Sequence, residues 1–166
     1  MNYNNLWEKI SFDFVKKIEE NRGLKHFAQN RSKFEGWMKV EFCTVLSKYF
    51  DDITPEKDRI DIVFDNWAIE LKTINTNYND ERVVRKTRPI TKNIKGIIKD
   101  INDLRKNKKY QNKAVAFVVF PLPKKDSPKW QLHKNRINDR LSPNKLKEKE
   151  FSFVNGVRGV FYFGYV

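Results

Sequence analysis

The stretch RIDIVFDNWAIELKT, residues 59–73, decides how the rest of the chain is read. Two short apolar runs, 59–64 and 67–74, flank Asp65-Asn66, and a connection of two such residues predicts a tight β-hairpin. That turn sets the register. Phe64 faces Trp67, Val63 faces Ala68, Ile62 faces Ile69, and Asp61 faces Glu70. Side chains alternate between the faces of a strand. Ile60, Ile62, Phe64, Trp67, Ile69 and Leu71 then form a wholly apolar face that belongs on the core. Arg59, Asp61, Val63, Ala68, Glu70 and Lys72 share the other. The carboxylates of Asp61 and Glu70 lie opposite each other, with Cβ atoms about 5 Å apart. Opposed like charges destabilise a sheet unless one acid is protonated or a cation lies between them. Hard Mg²⁺ answers this best, because it takes carboxylate oxygens and keeps several waters. Lys72 lies two residues beyond Glu70 on the same face, within reach of such a water. Small Val63 and Ala68 leave room for a substrate. The plainer reading is a surface hairpin with solvated acids.

Outward from the hairpin, helices come first. Leu6, Ile10, Phe14 and Ile18 recur at helical spacing over residues 4–21, and Gly23 is a stop signal. A second helix is expected over residues 32–50, with Ser32 and Glu35 as a capping box and Trp37, Val40, Val45 and Leu46 as its apolar stripe. Residues 75–89 are polar and aperiodic, which reads as a loop. Thr91 is expected to cap a helix reaching Lys106, striped by Ile94, Ile97, Ile98, Ile101 and Leu104. KAVAFVVF, residues 113–120, is a continuous apolar run ended by Pro121, as in a strand buried on both faces. A helix near residues 133–141 follows. Strands over 151–154 and 158–166 turn at Asn155-Gly156. This order predicts an α/β chain with a mixed sheet and helices on its faces.

The 166 residues are expected to form a single domain, and 39% apolar composition with 13 Phe is enough for one core. No apolar run of about 18 residues is present, so no membrane contact is expected. The first residues, MNYNNLWEKISFDF, do not read as a signal peptide, and Cys43 is the only cysteine, so a cytoplasmic setting is expected. Cys43 itself reads as a small core residue, and His26 and His133 match no metal-ligand spacing. The net charge is +13. Residues 1–80 hold 12 Lys/Arg against 14 Asp/Glu, whereas residues 81–149 hold 21 against 6. Such a segregated excess fits a polyanion-binding surface, or else a solvated lysine-rich one.

Asp61, followed eight residues on by Glu70-Leu71-Lys72, resembles the signature of the PD-(D/E)XK nuclease superfamily, which has the restriction-endonuclease-like fold. The resemblance covers a core of about residues 32–120. The N-terminal helix (4–21) and the basic segment 121–166 are additions. Ile60 stands where the signature has Pro, and the strand preceding the signature strand is expected near residues 50–54. The resemblance implies a Mg²⁺-dependent endonuclease, with Mn²⁺ able to substitute. Asp61, Glu70 and the Leu71 carbonyl would bind the metal, and Lys72 would act on the water or the phosphate. Glu41 would be the acid contributed by the preceding helix, with Glu35 the weaker candidate. Double-stranded DNA is the expected substrate and a homodimer the expected assembly. Arg82, Arg85, Lys86, Arg88, Lys92, Lys95, Lys134 and Arg136 would contact nucleic acid. Trp130, Gln131, His133 and Asn135 read as ordinary surface. The alternatives are a non-catalytic nucleic-acid-binding module on the same fold, an RNA-directed nuclease, and a basic structural protein.

Overall fold

A computed structural model describes residues 1–87, 90–124 and 127–166. The elements in chain order are α1 (Tyr3–Glu20), α2 (Leu24–Gln29), α3 (Glu35–Leu46), β1 (Ile53–Lys57), β2 (Ile60–Phe64), β3 (Trp67–Asn75), α4 (Ile90–Lys106), β4 (Asn112–Phe120), α5 (Pro128–Asn138), β5 (Leu146–Ser152) and β6 (Arg158–Tyr165). Six strands form one mixed sheet in the order β1-β2-β3-β4-β6-β5. Among the described residues only the β3–β4 pair is parallel, and α4 lies on the crossover between them.

The central strands are apolar because both their faces are covered. Residues Ala114 to Phe120 of β4 are all buried. One side of the sheet packs against α1, α2 and α3, through Leu6, Ile10, Phe14, Met38 and Phe42. The other packs against α4 and α5, through Ile94, Ile97, Ile101, Trp130 and Ile137. The edge strands are different in kind. β1 is short and contains Pro55, and β5 reads LKEKEFS, so charge and proline guard both edges. That charge pattern hid the first half of β5 in the sequence.

The hairpin register is as expected: Ile62 opposes Ile69, Val63 opposes Ala68 and Phe64 opposes Trp67. Asp65 takes φ 48°, the left-handed conformation a tight hairpin turn needs. Asn66 accepts from Asn112 Nδ2 at 2.9 Å, which ties the turn to the start of β4.

Several expectations are corrected. Ile60 packs on the α4 side of the core and Ile62 on the other, so the alternation breaks at Asp61, just beyond the last β2–β3 pair. Asp58 and Arg59, both with positive φ, form the tight turn between β1 and β2. Val63 and Ala68 are buried beneath α4 and leave no room for a substrate. The second helix starts at Glu35, Phe34 sits at its cap without a side-chain bond, and the Ser32 capping box does not form. Its buried stripe is Met38, Phe42, Val45 and Leu46, while Val40 is 63% exposed. Cys43 is half-buried against the core. Thr91 lies inside the first turn of α4, which begins at Ile90. The strand before the signature strand is Ile53–Lys57, three residues later than expected. The fifth helix begins earlier than expected, where Ser127 caps it and Pro128 takes its first position. The six-residue α2 was not anticipated.

Candidate active site

Asp61 and Glu70 meet where β2 parts from β3. One Asp61 oxygen, Oδ2, accepts the backbone N–H of Leu71 at 2.8 Å. The Asp61 and Glu70 carboxyls lie close enough that each shifts the other's proton affinity. Thus Leu71 is seen through its amide, which anchors Asp61. Two residues on, the N–H of Thr73 donates to Glu35 Oε1 at 2.9 Å. Two carboxylates from outside β3 therefore take successive amides along its edge, which a neighbouring strand would otherwise pair with.

The electrostatics of the two acids diverge. Burial pushes Glu70 up to about 8, aided by the adjacent Asp61 and by Asp100. Burial acts upward on Asp61 too, but the Leu71 N–H, the Glu70 carboxyl and Lys39 outweigh it and hold Asp61 below the usual range. Without a cation, one proton is retained by the pair far above the ordinary carboxyl range, with Glu70 the acid pushed up and Asp61 the one held down. This is the first of the two resolutions open to the opposed acids.

Lys72 turns towards α4, where its Nζ lies 3.0 Å from Asp100 Oδ2. Burial acts to lower Lys72, but Asp100, Glu35 and Asp61 prevail and raise it, so it remains an ammonium at neutral pH. A role as general base does not suit that state. Glu70, Lys72 and Asp100 open together onto a cleft of about 570 Å³, also lined by Asp58, Arg59 and Lys99.

The acid that reaches this region from α3 is Glu35. Glu41 pairs with Lys17 of α1 at 2.6 Å and takes no part in the site. The two are six positions apart on the helix, so they project in different directions, whereas Glu35 and Lys39 share a face. Lys39 brings a second ammonium to the acids, 3.0 Å from Asp61 Oδ1 and 2.8 Å from Glu56 Oε1.

Lys39, Glu56 and Asp100 were missed in the sequence. Asp100 had a signal: it stands three residues after Ile97 and four before Leu104, among the sheet-facing residues of α4. Lys39 was legible only as the i+4 neighbour of Glu35. Glu56 had none, because its direction depends on its φ of 56°.

The expected nucleic-acid contacts divide in two. Arg85 and Lys86 are exposed and line a depression of about 400 Å³ with Arg31, Asn77, Asn79 and Thr87. Lys92 and Lys95 are exposed on α4, and Arg136 on α5. In contrast, Arg82 spends its guanidinium on Asp80 at 2.8 Å and on the Gly156 carbonyl at 2.6 Å. Lys134 lies 2.5 Å from Glu148 and over the Tyr162 ring. Arg88 lies outside the described residues.

Among the described residues, no group of three or more His, Cys, Asp or Glu side chains is arranged to hold a metal ion. Asp61 and Glu70 form a pair only. Two neighbouring half-buried carboxyls, one of them pushed far up by burial and by the other, nonetheless fit a hard divalent ion that retains its waters. No protein-family model, no curated protein and no solved structure matches this chain.

Proposed function

We propose that the chain is a divalent-metal-dependent nuclease of the PD-(D/E)XK type that hydrolyses phosphodiester bonds in DNA. One observation carries the reading: Asp61 and Glu70 lie side by side on adjacent strands, each shifting the other's proton affinity, and the ammonium of Lys72 lines the same cleft as Glu70. The element order α3, β1-β2-β3, α4, β4 supports it, since a helix, a meander, a helix and a further strand is the core that the resemblance implies.

Asp61 and Glu70 would hold Mg²⁺ or Mn²⁺, with the Leu71 carbonyl as the ligand the resemblance adds. The bound ion supplies Lewis acidity towards water and the phosphoryl group. The other tasks fall to the chain itself. Glu70 gives up its proton when the ion binds. Lys72, kept charged by Asp100, donates to a non-bridging phosphate oxygen and opposes the charge that develops there. Asp100 holds that ammonium in place. Arg85, Lys86, Lys92, Lys95 and Arg136 neutralise flanking phosphates and position the strand without reading sequence. Two copies of the chain would place one site on each DNA strand.

Incubation of supercoiled plasmid with protein and Mg²⁺ tests this. Cutting is expected, at least a hundredfold slower in Asp61→Ala and Lys72→Ala, as loss of a group acting on the reacting phosphate implies. Cutting that survives both substitutions would refute the site. A labelled RNA run in parallel decides between the two nucleic acids.

A second reading rests on Lys39. If that ammonium and the shared proton neutralise the acids permanently, the chain is a non-catalytic nucleic-acid-binding module. It would bind DNA in a salt-sensitive way and take up no metal.

A further inference from the structure

Both oxygens of Asp61 are occupied in the ion-free protein. Oδ2 accepts from Leu71 N, and Oδ1 lies 3.0 Å from Lys39 Nζ. The same ammonium reaches Glu56 Oε1 at 2.8 Å. Glu56 sits on the edge strand β1 with φ 56°, a conformation that costs a non-glycine residue energy. The side chain of Glu56 is 75% exposed, so it has no packing role that would explain its placement. Its one described contact is Lys39. The stem of Lys39 is mostly covered and its side chain is 21% exposed, which limits the ammonium to this neighbourhood. One cation thus spans two anions, one inside the proposed metal site and one outside it.

We infer that Lys39 is a built-in competitor for the metal, and that Glu56 is the seat to which its ammonium retires when a divalent ion takes Asp61. This rests on the metal-site reading of Asp61 and Glu70. In the ion-free state Lys39 neutralises Asp61 on β2 and ties it to Glu56 on β1. A divalent ion must displace it from Oδ1. Glu56 lowers the cost of that displacement, because the ammonium keeps one partner. Lys39 is therefore a positioning residue that sets the metal concentration at which the site fills.

Titration calorimetry with Mn²⁺ alone, without nucleic acid, tests this on the whole chain. Lys39→Met keeps the length of the side chain and removes the competitor, so Mn²⁺ affinity is expected to rise about tenfold, the scale of removing one nearby unit charge. Glu56→Gln removes the retiring seat and is expected to weaken Mn²⁺ binding several-fold. In the double variant Glu56→Gln is expected to be silent, because it acts only through Lys39. Thermal melts with and without Mn²⁺ should reproduce the order, Lys39→Met showing the larger stabilisation by metal.

The outcomes separate. If wild type binds Mn²⁺ and Lys39→Met binds it equally or less tightly, the competitor role is overturned while the metal site stands. Additive effects in the double variant would reduce Lys39 and Glu56 to general field charges and also overturn it. If neither wild type nor Lys39→Met takes up Mn²⁺, the metal-site reading falls and this inference with it.

Discussion

At the scale of single residues, the site is a problem of two carboxyls and two ammoniums in partial burial. Glu70 carries the clearest consequence. Its pKa in the folded chain is pushed up to about 8 by burial and by Asp61 beside it. A folded state that keeps a proton the unfolded chain has lost is destabilised as pH rises. Stability without divalent ions should therefore fall between the ordinary carboxyl range and about pH 8. Glu70→Gln should flatten that slope and melt higher than wild type at pH 8, as read by circular dichroism in chelator. A slope that persists in Glu70→Gln would assign the proton elsewhere. Mn²⁺ affinity of wild type should rise with pH over the same window, since the ion must displace that proton. Asp100 is the other test at this scale. Asp100→Asn removes the carboxylate 3.0 Å from Lys72 Nζ, so the Lys72 pKa should fall, as measured by NMR of the labelled lysine side chain.

At the scale of elements, two connections hold the site's surroundings. Arg31, 2% exposed, donates from Nε to the Val84 carbonyl at 3.0 Å and from Nη2 to the Tyr78 carbonyl at 2.8 Å, and it also bonds the Thr76 carbonyl. It thereby ties the two limbs of the loop after β3 to the turn before α3. Arg31→Met would leave those carbonyls without their donor. A loss of about 2–4 kcal/mol is expected, with earlier proteolytic cutting within residues 76–87. The β5–β6 turn is the second connection. Gly156 has φ 80°, and a Cβ there would come within 2.7 Å of Arg82 Nη1. Gly156→Ala should cost about 1 kcal/mol or more in chemical denaturation, from backbone strain and a displaced Arg82. A neutral result would show that the turn relaxes freely.

At the scale of the whole molecule, the governing quantity is the charge of +13 and its concentration in residues 81–149. Binding to duplex DNA should weaken linearly in log salt, and each lost phosphate contact should lower the slope by about 1. Lys92→Gln with Lys95→Gln should reduce it. Arg82→Gln should not, because its guanidinium is already held by Asp80 and Gly156. Fluorescence anisotropy across a salt series distinguishes the two. An equal loss from both would mean that Arg82 leaves its internal partners on binding DNA.

The hairpin was legible from the chain alone because its signals are local. Asp65-Asn66 specifies the turn, the turn specifies the register as far as Ile62 and Ile69, and the two acids follow immediately beyond that last pair. The stripes of α1 and α4 and the buried strand β4 were legible for the same reason, since periodicity is set by near neighbours. What only the tertiary structure decided is which distant side chains reach the acids. Glu35 rather than Glu41 comes to β3, Asp100 takes Lys72, and Lys39 takes Asp61. Each contact depends on how a helix is rotated and placed against the sheet. That placement is fixed by the fit of the two apolar cores on either side of it, and no stretch of sequence around the acids encodes it.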